Sequence, residues 1–320
     1  MRALVTGGAG FVGGVVAQAL LERGDEVVVV DSLRTGSPDD VPVDASFVHG
    51  TVGDVAGDRG LLESGFDVCF HFAGLIESGI SMERPEAFFA TNVGQTLALL
   101  EGLVTAGVDR VVFSSSAAVY GDPRYTPIDE AHDTHAVSPY GESKLLVERA
   151  LAWLARRGKL RYAALRYFNA AGAIPGRPER HVPETHLIPI ALDVAAGVRD
   201  VLELYGDDYP TPDGTCVRDY VHVADLAAAH LLAADVLGDR AELVVNLGTG
   251  TGSSNAEVVQ AVRDVTGRDV AVRPAPRRPG DPSVLVAAND LARRTLGWSP
   301  ARVLHEIVSD AWTARGGAPR

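Results

Sequence analysis

Cysteine is nearly absent from this sequence. Cys69 and Cys216 are the only two in 320 residues, and they lie far apart. Neither belongs to a Cys-x-x-Cys pair or to a cluster with metal-ligand spacing, so the expectation is two reduced thiols, no disulfide framework and no metal. Lysine is scarce against its class: Lys144 and Lys159 are the only lysines among 29 basic residues, which makes the place of each one informative. No run of 18 consecutive apolar residues occurs, so a membrane-spanning helix is not expected. A strand-like run starts at Ala3-Leu4-Val5 without a charged segment and apolar stretch before it. Export is therefore not expected, and a cytoplasmic location is. Internal repeats and low-complexity tracts are also missing. A basic excess is lacking too: the formal net charge of −13 argues against nucleic acid or a membrane surface as partner.

What is present is apolar material, 46% of the residues, enough for a large core or for two cores sharing an interface. In the first half short apolar runs alternate with helical patterns. The runs predict strands over 2–6, 26–30, 46–49, 67–72, 110–115 and 161–167. Between them the spacing predicts helices over 10–23, 83–106 and 139–157. The strand runs are continuous in Val, Leu and Phe, which suits parallel strands covered on both faces. The fold class expected is α/β, a doubly wound parallel sheet of Rossmann type with a smaller mixed α/β unit. From Ala170 Pro and Gly become denser, with long loops over 205–217 and 273–283. The division expected is a dinucleotide-binding unit over 1–169 and a substrate-binding unit over 170–320, with the chain returning to the first unit.

Gly7, Gly10 and Gly13 follow the first predicted strand and open the first predicted helix. Gly7 allows a tight turn, Gly10 lets backbone amides approach a pyrophosphate, and Gly13 lets helix pack on strand. Asp31 comes at the end of the second strand. A carboxylate there accepts the ribose hydroxyls of NAD and repels a 2′-phosphate, which favours NAD over NADP although Arg34 lies close by. The alternative is an ordinary strand–turn–helix corner with a solvated Asp.

Tyr140 and Lys144 stand four residues apart after Pro139, a residue suited to a helix start. The spacing puts both on one helical face. A free tyrosine titrates near ~10; an adjacent ammonium and a nicotinamide cation would bring it toward the working range as a base. Ser114, Ser115 and Ser116 end the fifth predicted strand, where ligands of open α/β sheets sit. Ser116 is the one best suited to bond a reacting oxygen and relay its proton to Tyr140. The bland alternative is a polar loop satisfying its own backbone.

Together these residues resemble the extended short-chain dehydrogenase/reductase family. His71-Phe72-Ala73-Gly74, Leu165-Arg166-Tyr167-Phe168-Asn169 and Asn246-Leu247-Gly248-Thr249-Gly250 are similar to it as well. The segment from Tyr205 through Arg218-Asp219-Tyr220-Val221-His222 resembles the signature of the UDP-glucose 4-epimerases, and the likeness runs from Met1 to about Trp312. What the resemblance implies is reversible C4 epimerisation of a UDP-hexose with bound NAD as cofactor, Tyr140 as base, Ser116 assisting, Lys144 supporting, and a homodimer built on helices over 83–106 and 139–157. For the cofactor it implies contacts from Phe11, Val12, Ser32, Thr51 and Val52, and from Phe72, Ala73, Gly74, Asn92, Ser114 and Tyr167. For a UDP-sugar it implies Ala117 and Ala118 beside Ser116, then Phe168, Asn169, His186 and Leu187. Leu202, Leu204, Tyr205 and Tyr220 follow, with Asn169, Arg218 and Arg278 on the diphosphate, Asp281 on the uridine ribose and Leu285 by the sugar.

The sequence departs from the family at several of these places. Thr51 stands where an acidic adenine contact is common, Ile76 where some members have Lys, Thr185 where Asn is common, and Leu285 where some have Tyr. Leu285 leaves the expectation of space beside sugar C2, enough for an N-acetyl group. A 4,6-dehydratase would need acids where Ala117 and Ala118 stand. A UDP-glucuronate 4-epimerase shares the same machinery, and a non-catalytic NAD-binding sensor is the reading from another class. Such sensors lose the Tyr or the Lys, and both are present here.

Overall fold

The strands of the first half alternate buried side chains between two faces. Ala3 and Val5 lie in one apolar cluster with Val27 and Val29, while Leu4 lies in another with Val28 and Val30. A strand buried on both faces reads as a continuous apolar run, which is the pattern of a parallel sheet between helix layers. The computed structural model describes residues 1–181, 183–278 and 281–318. Its main sheet has seven strands: β1 (Arg2–Thr6), β2 (Glu26–Asp31), β3 (Ser46–His49), β4 (Val68–His71), β5 (Arg110–Ser116), β6 (Arg161–Tyr167) and β7 (Glu242–Leu247). The order is β7-β6-β5-β4-β1-β2-β3, every pair parallel. The order reverses between β1 and β4, and such a switch point is where doubly wound sheets bind ligands.

Helix α1 (Phe11–Glu22) and helix α5 (Val223–Val236) cover one face. Helix α2 (Pro85–Thr105) and helix α3 (Pro139–Arg156) cover the other, through Leu99, Leu103, Val147 and Leu151. A second core joins helix α4 (Leu187–Ala196), helix α6 (Asn255–Thr266) and helix α7 (Leu304–Ala314) through Ile188, Leu192, Val262, Ile307 and Trp312.

Strand β7 comes from beyond residue 170, at a segment for which no strand is predicted from the sequence; it pairs with β6 from Glu242↔Tyr162 to Leu247↔Tyr167. One feature differs from the sequence expectations. The helix expected over 83–106 is instead preceded by a separate turn, Ser78–Glu83, and carries a π-helical stretch at Phe89–Gln95. Pro85 cannot continue an incoming helix, because it lacks the amide hydrogen. Helix α2 is also the one described segment long and apolar enough, by length and composition, to cross a membrane, at a mean hydropathy of 1.2. It packs on the short helix Val52–Gly57 and on α3, as a core-covering helix of a sheet does.

Candidate active site

The carboxyl ends of β1, β2, β4, β5 and β6 open onto one cavity of about 1070 Å³. On the β1 side the chain turns at Gly7 with a φ of +76°. A Cβ on Gly7 would stand 2.6 Å from the Ala73 amide nitrogen, and one on Gly13 would stand 2.3 Å from the Gly7 oxygen. Around Gly10 the only atom within 4 Å of such a Cβ is the Gly7 oxygen at 3.2 Å, so a side chain there would project into the cavity. Helix α1 starts at Phe11 with no side-chain cap, which leaves its first amides directed at the same space. A cradle kept open by glycine beside uncapped helical amides fits a pyrophosphate.

Asp31 lines the cavity, and it also braces the cradle. Its Oδ2 accepts from the Ala9 amide at 3.0 Å and its Oδ1 from the Leu33 amide at 2.8 Å. The remaining lone pairs of the carboxylate are the ones open to ribose hydroxyls. Phe11, Val12, Ser32, Thr51, Val52, Phe72, Ala73, Gly74, Ser114 and Tyr167 also line the cavity. The Thr51 hydroxyl caps the helix Val52–Gly57 and donates to Asp54 at 2.7 Å.

Helix α3 begins at Pro139, with Ser138 accepting from the Gly141 amide at 3.2 Å. That start sets Tyr140, Lys144 and Glu148 along one face. Lys144 is buried, and its Nζ donates to the Ser114 carbonyl at 2.8 Å. The ammonium stands 5.0 Å from the Phe113 ring centre and 5.8 Å from that of Tyr140. Ser116 lines the cavity and accepts from the Ala118 amide at 3.1 Å. Burial pulls the Lys144 pKa down to about 8, with Glu148 opposing. Burial also raises Tyr140 above its ordinary value; a hydrogen bond with Ser116 offsets part of this and Glu77 adds to it. The chain's own groups thus hold Tyr140 as a phenol; of the two cations expected to lower it together, Lys144 does not do so alone. The positive charge of an oxidised nicotinamide is the remaining source of a downward shift.

Phe168, Asn169, His186, Leu187, Leu202 and Leu204 also line the cavity, with Tyr205, Arg218, Tyr220, Arg278 and Asp281. Arg218 donates to the Pro282 carbonyl at 2.8 Å and lies 3.5 Å from Asp281. The Arg278 guanidinium stacks 4.0 Å over the Tyr205 ring. Asp219, in the signature segment, is structural: it accepts from the Thr249, Gly250 and Ala287 amides and ties three loops together.

Four expected contacts lie off the cavity wall. Asn92 is buried behind it, bonded to Leu75 and Ser143. Ala117 packs into an apolar cluster with Tyr120 and Phe168, and Leu285 rests against that cluster. Ala118 follows Ser116 in the short turn Ala117–Val119, outside the lining. Asn92 turns its side chain into buried hydrogen bonds, and Ala117 and Leu285 turn theirs into packing.

Other wall residues were not expected. Glu77 follows β4, and Glu179, His181 and Glu184 join His186 at one side. The donor atoms of these last four lie within 4.8 Å of one another, a grouping able to hold a metal ion that the cysteine-centred reading did not anticipate. They are bonded among themselves: His181 Nδ1 with Glu179 at 3.0 Å and His186 Nδ1 with Glu184 at 2.8 Å. Burial works against a charged His186, but Glu184 and Glu179 outweigh it and raise its pKa. The signal in the sequence was the Glu-x-His-x-x-Glu-x-His spacing from Glu179 to His186.

Comparison with known proteins gives a consistent result. Residues 3–248 match the model of the NAD dependent epimerase/dehydratase family. The chain is 50% identical to a UDP-glucose 4-epimerase of Streptomyces lividans over 319 residues, 99% of this chain and 97% of that one. The crystal structure of a UDP-glucose 4-epimerase from Brucella ovis in complex with NAD superposes with a TM-score of 0.96 at 44% identity, covering 100% of this chain and 99% of that one. A UDP-glucose 4-epimerase from Stenotrophomonas maltophila, with bound NAD and formylated UDP-arabinopyranose, gives 0.95 at 40% identity, covering 99% and 98%.

Proposed function

This chain belongs to the NAD dependent epimerase/dehydratase family, and from that membership we propose that it interconverts UDP-hexoses by inverting the sugar C4 hydroxyl. The observation that carries the reading is the sharing of one cavity. The glycine cradle with Asp31, the Tyr140–Lys144–Ser116 group and the arginine-bearing second unit all open onto it. A cavity of about 1070 Å³ has room for two large ligands side by side.

The cofactor is NAD, which when bound supplies reversible acceptance and return of a hydride. Gly7, Gly10, Gly13 and the first amides of α1 would hold its pyrophosphate, and Asp31 its ribose. The rest is proton work. Tyr140 takes the proton of the C4 hydroxyl and later returns it to the same oxygen, with Ser116 positioned to bond that oxygen. Lys144 holds its ammonium beside the phenol from the Ser114 carbonyl. Arg218 and Arg278 meet the substrate diphosphate, which on a chain of net charge −13 needs local cations. Asn169 adds a polar contact there, and Asp281 is placed to take the uridine ribose. Substrate and product are isomers, so no second substrate is consumed.

The division of labour proposed is residues 1–169 for NAD and 170–320 for the UDP-sugar, with β7 returned to the first unit. A homodimer is proposed through α2 and α3 and the turn before α2. Ile80, Met82, Phe89, Leu97 and Trp153 are exposed there, which is more apolar surface than the core explains. Cys69 and Cys216 are buried free thiols, which supports the cytoplasmic placement.

The test is NMR of UDP-glucose, UDP-N-acetylglucosamine and UDP-glucuronate, each incubated with purified protein without added NAD. The expected result is a C4 epimer from UDP-glucose and NAD released on denaturation. Turnover of UDP-glucuronate alone would move the assignment to the uronate. No turnover of any of the three, or a strict need for added NADP, would overturn it.

A further inference from the structure

Behind the catalytic wall lies a buried ionic assembly that the reaction as described does not use. Glu148 and Arg166 are 5% and 6% exposed. The guanidinium grips the carboxylate with two nitrogens, its Nε donating to Oε1 at 2.9 Å and its second nitrogen to Oε2. Ser115 donates to Glu148 Oε1 at 2.5 Å. Arg166 also donates to the Tyr120 hydroxyl at 3.0 Å, and Tyr120 to Asn246 Oδ1 at 2.7 Å.

Burying such a pair is costly in desolvation and often adds no net stability over apolar packing. Its position suggests what it accomplishes. Glu148 sits one helical turn beyond Lys144 on the face that carries Tyr140. Ser115 and Ser114 are neighbours at the end of β5. One is bound by Glu148, the other accepts from Lys144 Nζ. Helix α3 is therefore pinned to β5 at two successive residues, and the anion of the pin is the charge on the lysine's own helix that acts on its ammonium. We propose that Glu148, clamped by Arg166 and Ser115, is a positioning residue that holds Lys144 as a cation in register with Tyr140. The inference rests on the reading of Tyr140 and Lys144 given above.

The other groups around Lys144 do not substitute for it. From β4, His71 is bonded between Thr6 and Thr96, and burial, with Lys144 adding, lowers its pKa to about 3, so it carries no charge at neutral pH. From β6, Arg166 is a cation and Tyr167 a phenol bonded to Ser114. Tyr140 is a phenol as well, and Glu77 faces Tyr140 from the loop after β4. Glu148 alone raises the Lys144 pKa against burial.

The scarcity of lysine makes this directly measurable. Protein labelled with 13C at lysine Cε gives two signals, buried Lys144 and exposed Lys159, the second an internal reference. The holoenzyme, its dinucleotide bound, is titrated from pH 6 to 11 as wild type, Glu148→Gln, and Glu148→Gln with Arg166→Gln. The double variant removes the buried cation that could unfold the single one. The expected result is a Lys144 midpoint lower by about one pH unit or more in Glu148→Gln, as loss of a buried neighbouring anion implies, and a smaller fall in the double variant, where loss of the Arg166 cation offsets part of it. Lys159 stays unmoved, and the alkaline limb of turnover falls by the same amount. An unchanged Lys144 midpoint, with loss of thermal stability only, would overturn the proposal and leave the pair a structural clamp. Because the midpoint is read without turnover, a failure of the epimerase reading leaves a different trace: a normal Lys144 shift with no epimer formed.

Discussion

Asn92 and Leu75 clasp each other twice. Asn92 Oδ1 accepts from the Leu75 amide at 2.8 Å, and its Nδ2 donates to the Leu75 carbonyl at 3.0 Å and to Ser143 Oγ at 3.0 Å. The residue sits within the π-helical stretch of α2, where a widened turn aims the amide at the loop after β4. One side chain thereby fixes the cavity edge at Gly74–Leu75 relative to α3. Asn92→Ala is expected to lower stability by about 1–3 kcal/mol, since it orphans buried backbone groups. It should also loosen NAD, because Gly74 and Leu75 line the cavity. Urea unfolding and the fraction of NAD retained through gel filtration check both parts.

Tyr140→Phe keeps the ring that packs edge-on against Phe88 at 6.5 Å and removes only the hydroxyl. Turnover is expected to fall about 10²–10⁴-fold, the usual loss of a positioned proton acceptor, with the melting temperature near that of wild type. Near-normal epimerisation would remove Tyr140 from the catalytic role.

Burial places Lys144 near 8 in the fold against an ordinary 10.5. Between these values the unfolded chain binds more protons at this site than the folded one, so the site's contribution to stability rises with pH across the window. Below pH 8 the penalty is fully present, on the order of 3 kcal/mol at about 1.4 per unit. With both proteins stripped of dinucleotide, Lys144→Met is expected to be the more stable at pH 7. Its advantage should shrink from pH 8 upward and be gone by 10.5. Denaturant unfolding at four pH values measures this, and a pH-independent difference would contradict it.

Leu285 was expected to open space beside the sugar. In the fold it rests against the Ala117, Tyr120 and Phe168 cluster, off the cavity wall. Leu285→Tyr is therefore expected to overpack that cluster, costing about 1–3 kcal/mol of stability. It should depress UDP-glucose and UDP-N-acetylglucosamine turnover alike. A selective loss of the N-acetyl substrate would restore the residue to the sugar pocket.

The elements that the sequence made legible are those whose cause is local. Val27 to Val30 cannot be half-solvated, and Gly7, Gly10 and Gly13 leave few alternatives to a tight strand-to-helix turn. Tyr140 and Lys144 share a face because helical periodicity demands it. What was not legible depends on distant partners. Glu242–Leu247 looks like any apolar run until it is seen paired with residues some eighty positions earlier. Asn92, Ala117 and Leu285 fit the family pattern by position, yet their orientation is set by neighbours from other elements. Glu179, His181, Glu184 and Glu77 reach the cavity because loops fold back over it, and loop direction has no short-range periodic signal.

The lateness of β7 bears on synthesis and on truncation. Until residue 247 has emerged, the Arg161–Tyr167 strand presents an open row of amides and carbonyls along a long apolar segment. A nascent chain must carry that adhesive margin through the making of some eighty further residues. A fragment ending at residue 169 would never cover it, and is expected to self-associate, as light scattering during its expression or refolding would register. Strand β7 thus ties the chain beyond residue 170 to the sheet that precedes it.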